Sequence, residues 1–323
     1  MSSSADLRQL TESHIEAMAF ESRQPRNLYE PMAYILRLPG KRIRPVLTLL
    51  AYQALSGRNP AEALNLACSV ELFHNFTLMH DDIMDRAPMR RGQPCVHIKW
   101  DENIAILSGD AMFAFSMGLV VKDFPEKAAI LATEFTRVGM EVCEGQMEDM
   151  DLAAQSDAGI PEYIEMIRKK TAALLGGCLS LGALAGDASP ELAFRFRQYG
   201  ELLGIAFQLQ DDLMDAFPPE GFGKQVGGDI IENKKTYLLL KARELAGESQ
   251  LRELDALSQP GTDPAAKVQH TLRIFRELDI ENLTQALIRD YFGQALAIGE
   301  ELEHQSRFAP IKAYLTEIAG RKV

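Results

Sequence analysis

The spacing of proline constrains this chain most. Its 15 prolines leave long stretches without one, among them 61–87, 95–124, 126–160, 162–189, 191–217 and 220–259. Proline in a helix interior costs about 3 kcal/mol, so long proline-free stretches bounded by proline are where helices belong. Within 61–80, Ala63, Leu64, Ala67, Val70, Phe73, His74, Thr77 and Leu78 recur at helical spacing, and 192–217 behaves alike. Ser189-Pro190 reads as an N-cap followed by the first helical residue. Alternating β-branched runs and Asn-Gly or Asp-Gly hairpin signals are missing. The expectation is all-α: about a dozen helices and no sheet, in a single domain over 1–323. Arg86 to Val96 and Pro218 to Gly228 read as loops, and the charged stretch 244–268 as a connection between the last helices.

Charge narrows the function. Lys plus Arg total 34 against 46 Asp plus Glu, a net charge of −12, which argues against a nucleic-acid binder. An anionic small molecule is still compatible, because local cations or bound metal override the global sign. Cys68, Cys95, Cys143 and Cys178 form no C-x-x-C pair and lie in or beside apolar stretches, so they read as reduced thiols, three of them buried. The polar, acid-bearing start of the chain resembles neither a signal nor a transit peptide. No uninterrupted apolar run reaches the roughly 20 residues of a membrane span. A cytoplasmic protein is expected.

One short motif occurs twice: Asp81-Asp82-Ile83-Met84-Asp85 and Asp211-Asp212-Leu213-Met214-Asp215. On a helix, residues i and i+4 share a face, so Asp81 aligns with Asp85 and Asp211 with Asp215. Asp82 and Asp212 sit about 100° round the wheel, better placed to orient neighbours than to ligate. Each cluster ends an apolar helix. Like charges four apart at a helix C-terminus repel each other and face the negative end of the dipole. A chain that does this twice needs a compensating cation. Mg²⁺ fits, since it keeps waters and takes one or two carboxylates together with substrate phosphates. His74 lies seven residues before Asp81, and Gln208 three before Asp211, on the same faces.

Basic residues recur beside these clusters. Gly40-Lys41-Arg42-Ile43-Arg44-Pro45 opens an apolar helix, where three cations oppose the dipole unless an anion sits there. Arg90-Arg91-Gly92 follows the first cluster, Lys169-Lys170-Thr171 interrupts an apolar helix, and Gly223-Lys224 and Lys234-Lys235-Thr236 flank the second loop. Any one of them alone is most often a solvated face. Together they supply charge for two diphosphates, one held through metal and one by side chains.

With GKRIRP, FHNFTLMHDDIMD and its trailing RRG, KKT, FQLQDDLMD and the final GK and KKT in this order, the chain resembles the trans-polyprenyl diphosphate synthases from about Gly40 to Thr236. The resemblance implies a single large helical bundle around a central cavity, of the isoprenoid-synthase type. It implies a short-chain prenyltransferase, similar to geranylgeranyl and farnesyl diphosphate synthases, that condenses isopentenyl diphosphate with an allylic diphosphate. By the same resemblance, Asp81, Asp85, Asp211 and Asp215 bind three Mg²⁺ that hold the allylic diphosphate. Arg90, Lys170, Lys224 and Lys234 contact that diphosphate. Lys41, Arg44, His74 and Arg91 grip isopentenyl diphosphate without metal, and Thr171 and Gln208 line the reacting centre. Homodimers are usual in the family. Two departures stand out: Pro39-Gly40 replaces the usual Gly-Gly, and Asn233 precedes Lys234 where glycine is common, so that Lys235 could substitute.

Phe76 and Thr77 occupy the positions that limit chain length in the family, and a single aromatic there resembles short-chain enzymes, favouring C20 over C15. A class I terpene cyclase shares the first aspartate motif but needs neither GKRIRP nor RRG. A head-to-head synthase fits no better, and a non-catalytic partner subunit tends to lose aspartates or basic residues that are all retained here.

Overall fold

The computed structural model describes residues 3–155, 158–218 and 226–320. Sixteen α-helices follow one another among the described residues: α1 Ser4–Ala17, α2 Arg26–Arg37, α3 Ile43–Ser56, α4 Leu64–Met84, α5 Val96–Lys99, α6 Glu102–Val120, α7 Ala128–Ala154, α8 Ile160–Ile167, α9 Ala173–Ala185, α10 Pro190–Ala216, α11 Gly228–Ile231, α12 Tyr237–Leu245, α13 Glu248–Leu257, α14 Pro264–Glu277, α15 Ile280–Glu303 and α16 Ala309–Gly320. The chain divides into two compact units. One comprises Met1–Val138, Gly177–Arg197 and Leu302–Leu315; the other comprises Gly139–Gly176, Gln198–Glu301 and Thr316–Val323.

In the first unit α4 packs on α6, and α2 packs on both. Met32, Ile35 and Leu36 meet Cys68, Leu72 and Met79 and, from α6, Ala105, Met112 and Leu119 in one buried cluster. A β-carbon at Gly109 would lie 2.3 Å from His80 Nε2, so the missing side chain is what lets α6 approach α4 there. By length and composition alone α6 could cross a membrane.

Arg42 begins α3 in the left-handed region, at φ 51°. Its guanidinium is buried, donating from Nη1 to Glu71 at 2.7 Å and from Nη2 to the Leu36 and Leu38 carbonyls. A buried pair of this kind fixes geometry more than it adds stability, since desolvation offsets much of the attraction. Here it ties the GKRIRP segment to the end of α2 and to α4.

In the second unit α8 packs on α12, and α14 is packed by α11, α12 and α13. Tyr163, Met166, Ile167, Ala172, Leu209, Leu213, Tyr237, Leu238 and Phe275 belong to its core. Between α8 and α9 the chain makes a π-helical turn, Arg168–Ala172. π-turns are rare and frequent at functional sites. A β-carbon on Gly145 of α7 would lie 2.2 Å from the Lys170 backbone nitrogen, and one on Gly204 of α10 would lie 2.5 Å from Ala172 Cα. Two glycines therefore seat the turn.

The helical expectation holds, including the Ser189 cap, whose hydroxyl accepts from Leu192 N at 3.2 Å. Cys68, Cys95 and Cys178 are buried and Cys143 is exposed, all four as free thiols. Two expectations are corrected. The loop 86–96 contains a short antiparallel pair, β1 Met89–Arg90 with β2 Gln93–Pro94. Its central residues Arg91 and Gly92 have φ of 52° and 76°. Type I′ hairpin turns need positive φ at both positions, and arginine is not a residue that announces it. The stretch 244–268 contains α13, started by the Gln250 side chain accepting from Gly247 N at 3.2 Å.

Candidate active site

In the first unit the site is built on the C-terminus of α4. That helix closes with Asp85 N donating to Asp81 O at 2.8 Å. Asp82 turns inward and is 2% exposed, whereas Asp85 is exposed and Asp81 intermediate. Arg90 donates from Nε to both Asp82 oxygens at 2.9 Å, with Nη2 at 2.7 Å from Oδ1. The middle aspartate thus orients a cation, as its place on the wheel predicts, and the i, i+4 pair is left at the surface.

Arg44 and His74 meet three turns back along α4. Arg44 Nη1 donates to His74 Nε2 at 3.2 Å, and Arg44 Nε is buried without an acceptor. Arg91 Nη1 reaches Leu38 O at 3.5 Å, the carbonyl that also accepts from Arg42. A β-carbon at Gly40 would meet Arg91 Nη1 at 2.8 Å, so the glycine retained in Pro39-Gly40 is the one this approach requires. Lys41 is exposed. Burial first, and then the cations Arg44, Arg91, Arg90 and Arg42, hold His74 well below its ordinary 6.5. His74 is therefore neutral and accepts from Arg44. A histidine with a depressed pKa leaves the folded chain with fewer protons than the unfolded one below pH 6.5, so stability is lost as pH falls through that value. Thermal denaturation at pH 7.5 and 5.5 should show a drop on acidification, and the drop should shrink in His74→Gln.

In the second unit Lys170, Thr171, Gln208 and Lys234 line one pocket of about 130 Å³, together with Asp149, Tyr163, Asp212 and Asp229. Lys170 Nζ sits 2.5 Å from Asp149 Oδ2. Thr171 Oγ1 donates to Gln208 Oε1 at 3.1 Å, and Gln208 Nε2 donates to Asp212 Oδ1 at 2.9 Å. Asp212 is 6% exposed and also accepts from the Tyr163 hydroxyl. Burial pushes its carboxyl up to about 7, against the lowering effect of those two donors. Asp211 is exposed. Asp215 accepts from Gly228 N at 3.1 Å and Asp229 N at 3.0 Å, so it also caps α11.

Lys234 Nζ lies 3.3 Å from Asp229 and 3.1 Å from Glu232, and Asn233 takes the left-handed φ of 58° that glycine would otherwise supply. Lys235 Nζ instead donates to the carbonyls of Leu152 and Gln155. The Lys234 ammonium thus faces carboxylates. Lys224 lies outside the described residues.

Phe76 stands in an aromatic cluster, with ring centroids 5.5 Å from Phe73, 5.5 Å from Phe113 of α6 and 4.8 Å from His80. The Thr77 hydroxyl donates to the His74 carbonyl at 2.9 Å.

Sequence reasoning missed Asp149, Asp229 and Tyr163. For Asp229, an acid between the two lysine motifs of the second loop was the available signal. Asp149 and Tyr163 meet partners 21 and 49 residues away, beyond any helical spacing. Among the described residues no cluster of three or more His, Cys, Asp or Glu gathers to hold a metal. The donors fit Mg²⁺ of the kind that takes one or two carboxylates and completes its shell with water and phosphate oxygens, rather than an all-protein cage.

A family model described as polyprenyl synthetase matches residues 25–275. A geranylgeranyl diphosphate synthase from Methanosarcina mazei is 40% identical over 258 residues, covering 76% of this chain and 79% of the relative. A crystal structure of a geranylgeranyl pyrophosphate synthase superposes with TM-score 0.92 at 38% identity, over 100% of both chains. A polyprenyl synthase from Caulobacter crescentus, complexed with calcium and isoprenyl diphosphate, gives TM-score 0.78 at 26% identity over 95% of this chain and 93% of its own.

Proposed function

Because the chain belongs to the polyprenyl synthetase family and is a short-chain prenyltransferase of the all-helical isoprenoid-synthase fold, we propose that it condenses isopentenyl diphosphate with C5 to C15 allylic diphosphates to a C20 all-trans product. The observation that carries this reading is the division of labour inside each aspartate cluster. The middle carboxylate is buried on donors from the site, and the i, i+4 carboxylates stand less buried at a helix end, a place that suits ligands to a cation shared with a diphosphate.

Asp81, Asp85, Asp211 and Asp215 are the residues assigned to Mg²⁺, of which three ions would accompany the allylic diphosphate. Bound there, Mg²⁺ supplies Lewis-acid neutralisation of the diphosphate leaving group. Arg90, Lys170, Lys234 and Lys224 bind the same diphosphate, and Asp82, Asp149 and Asp229 hold the first three ready. Lys41, Arg44, His74 and Arg91 take the diphosphate of isopentenyl diphosphate. The unmet Arg44 Nε and the cations crowded round a neutral His74 favour an anion at that place.

As the allylic C–O bond breaks, the electron pair leaves with the diphosphate. The π bond of isopentenyl diphosphate then forms the new C–C bond, and the released diphosphate accepts the proton that restores an alkene. Thr171 and Gln208 face the transient positive charge with oxygen dipoles, a stabilisation that works because it is fixed in advance. We assign the protein to the cytoplasm and to a homodimer. For the dimer, α6 offers Ile106, Leu107 and Phe113, all left exposed in the single chain.

Incubation with Mg²⁺, isopentenyl diphosphate and C5, C10 or C15 primers should yield a C20 diphosphate. No product from any primer overturns the reading. Phe76 is the wall assigned to chain length. Phe76→Ala removes a ring that Phe73, Phe113 and His80 hold in place, opening space for further C5 units. Mass spectrometry of the extracted products should show chains longer than those of the wild type; an unchanged profile refutes the assignment.

A further inference from the structure

We propose that Tyr163 is a positioning residue for the reacting centre, its hydroxyl fixing Asp212 so that Asp212 sets the direction of the Gln208 amide and, through it, of the Thr171 hydroxyl. The inference rests on the reading of Thr171 and Gln208 given above and adds two residues and a polarity to it.

The four side chains form one continuous line of hydrogen bonds. The Tyr163 hydroxyl, on α8, donates to Asp212 Oδ2, on α10. Asp212 Oδ1 accepts from Gln208 Nε2 at 2.9 Å, and Gln208 Oε1 accepts from Thr171 Oγ1 at 3.1 Å. Tyr163 is 2% exposed and Asp212 6%, so at that end water cannot replace a lost partner. A buried polar group deprived of its partner costs more than the bond was worth.

Direction follows from the chemistry of the groups. The Tyr163 and Gln208 hydrogen bonds both favour the ionised form of Asp212, and in that form it only accepts, so it selects the NH₂ end of the glutamine amide. The amide oxygen is then turned to Thr171 and takes the hydroxyl proton. With its proton committed, Thr171 Oγ1 keeps lone pairs for the pocket that both residues line. An oxygen that presents lone pairs stabilises an allylic cation, whereas one that presents its proton opposes it. Without Asp212 held in place, the amide can turn and the hydroxyl can point its proton either way. The π-helical turn places Thr171 for this arrangement, and Tyr163 stands two turns before it on the same stretch of chain. One segment thus supplies both ends of the line.

The test is Tyr163→Phe, which removes one oxygen and keeps the ring in its core. Expected is a fall in kcat of about 10- to 100-fold, the scale of a misplaced catalytic group, with KM for both substrates and the Mg²⁺ concentration for half-maximal rate within about twofold of wild type. Adding the change to Thr171→Val should cost little more than Thr171→Val alone, since both interrupt one line. A lowered melting temperature with unchanged kcat would show a structural role only and overturn the proposal. A large rise in the Mg²⁺ requirement would show action through Asp211 and overturn it as well. Fully additive effects in the double variant likewise count against it. A wild-type protein that makes no prenyl diphosphate overturns the function itself, which separates that failure from a failure of this inference.

Discussion

Asp81→Asn is expected to lower kcat/KM by about 10³-fold at saturating Mg²⁺, with little or no loss of stability. The substitution keeps the size of the side chain and removes one charge from a pair at the end of α4, where Asp85 follows one turn later. Like charges at a helix C-terminus are unfavourable to the fold, which offsets what Asp81 gains from its attraction to Arg90, so the melting temperature should change little. A catalytic loss without a loss of stability is what a metal-ligand role for Asp81 predicts. Asp82→Asn should behave differently, because Asp82 is buried and holds Arg90 through three contacts. There stability should fall. Steady-state kinetics over a range of Mg²⁺, paired with thermal denaturation of both variants, decides the matter. Retention of more than a tenth of wild-type kcat/KM in Asp81→Asn would remove Asp81 from the metal site.

Gly145→Ala is expected to lower kcat/KM by about 10²-fold through a residue that touches no substrate. The added β-carbon would lie 2.2 Å from Lys170 N, 2.7 Å from Lys170 Cα and 2.8 Å from Lys169 C. These are backbone atoms, so no rotamer change relieves the overlap. The π-helical turn or α7 must shift by about an ångström, and Lys170 and Thr171 move with it. In an exposed helix the same change would stabilise by about 1 kcal/mol. A loss of both stability and activity therefore marks the close approach as its cause. Activity within threefold of wild type would show that the turn tolerates displacement.

The two predictions mark how far the sequence could be read. Asp81 with Asp85, and Asp211 with Asp215, were legible because a spacing of four has one meaning on a helix, and proline bounded the helices that carry them. The inward turn of Asp82 and Asp212 followed from the same wheel. Gly145 was not legible: a glycine inside a helical pattern shows no sign of which backbone it lies against. The π-helical turn escaped for a related reason, since Arg168–Ala172 has the composition of an ordinary helix and owes its extra residue to packing on Gly145 and Gly204. The hairpin at Met89–Pro94 was hidden because Arg91 adopts positive φ without being a residue that favours it. Nothing in the spacing of Tyr163 points to Asp212; only the fold brings the two together across 49 positions.

Arg90, Lys170 and Lys234 each rest on an acid, namely Asp82, Asp149 and Asp229. Those acids compete with whatever anion the cations receive. On the proposed function, they would weaken its retention and take the cations back as it departs, so that pyrophosphate would leave behind neutralised pairs instead of exposed positive charge. An enzyme arranged as proposed would give up some grip on its substrate and gain an easier exit for its by-product, which is the favourable exchange wherever turnover is limited by release.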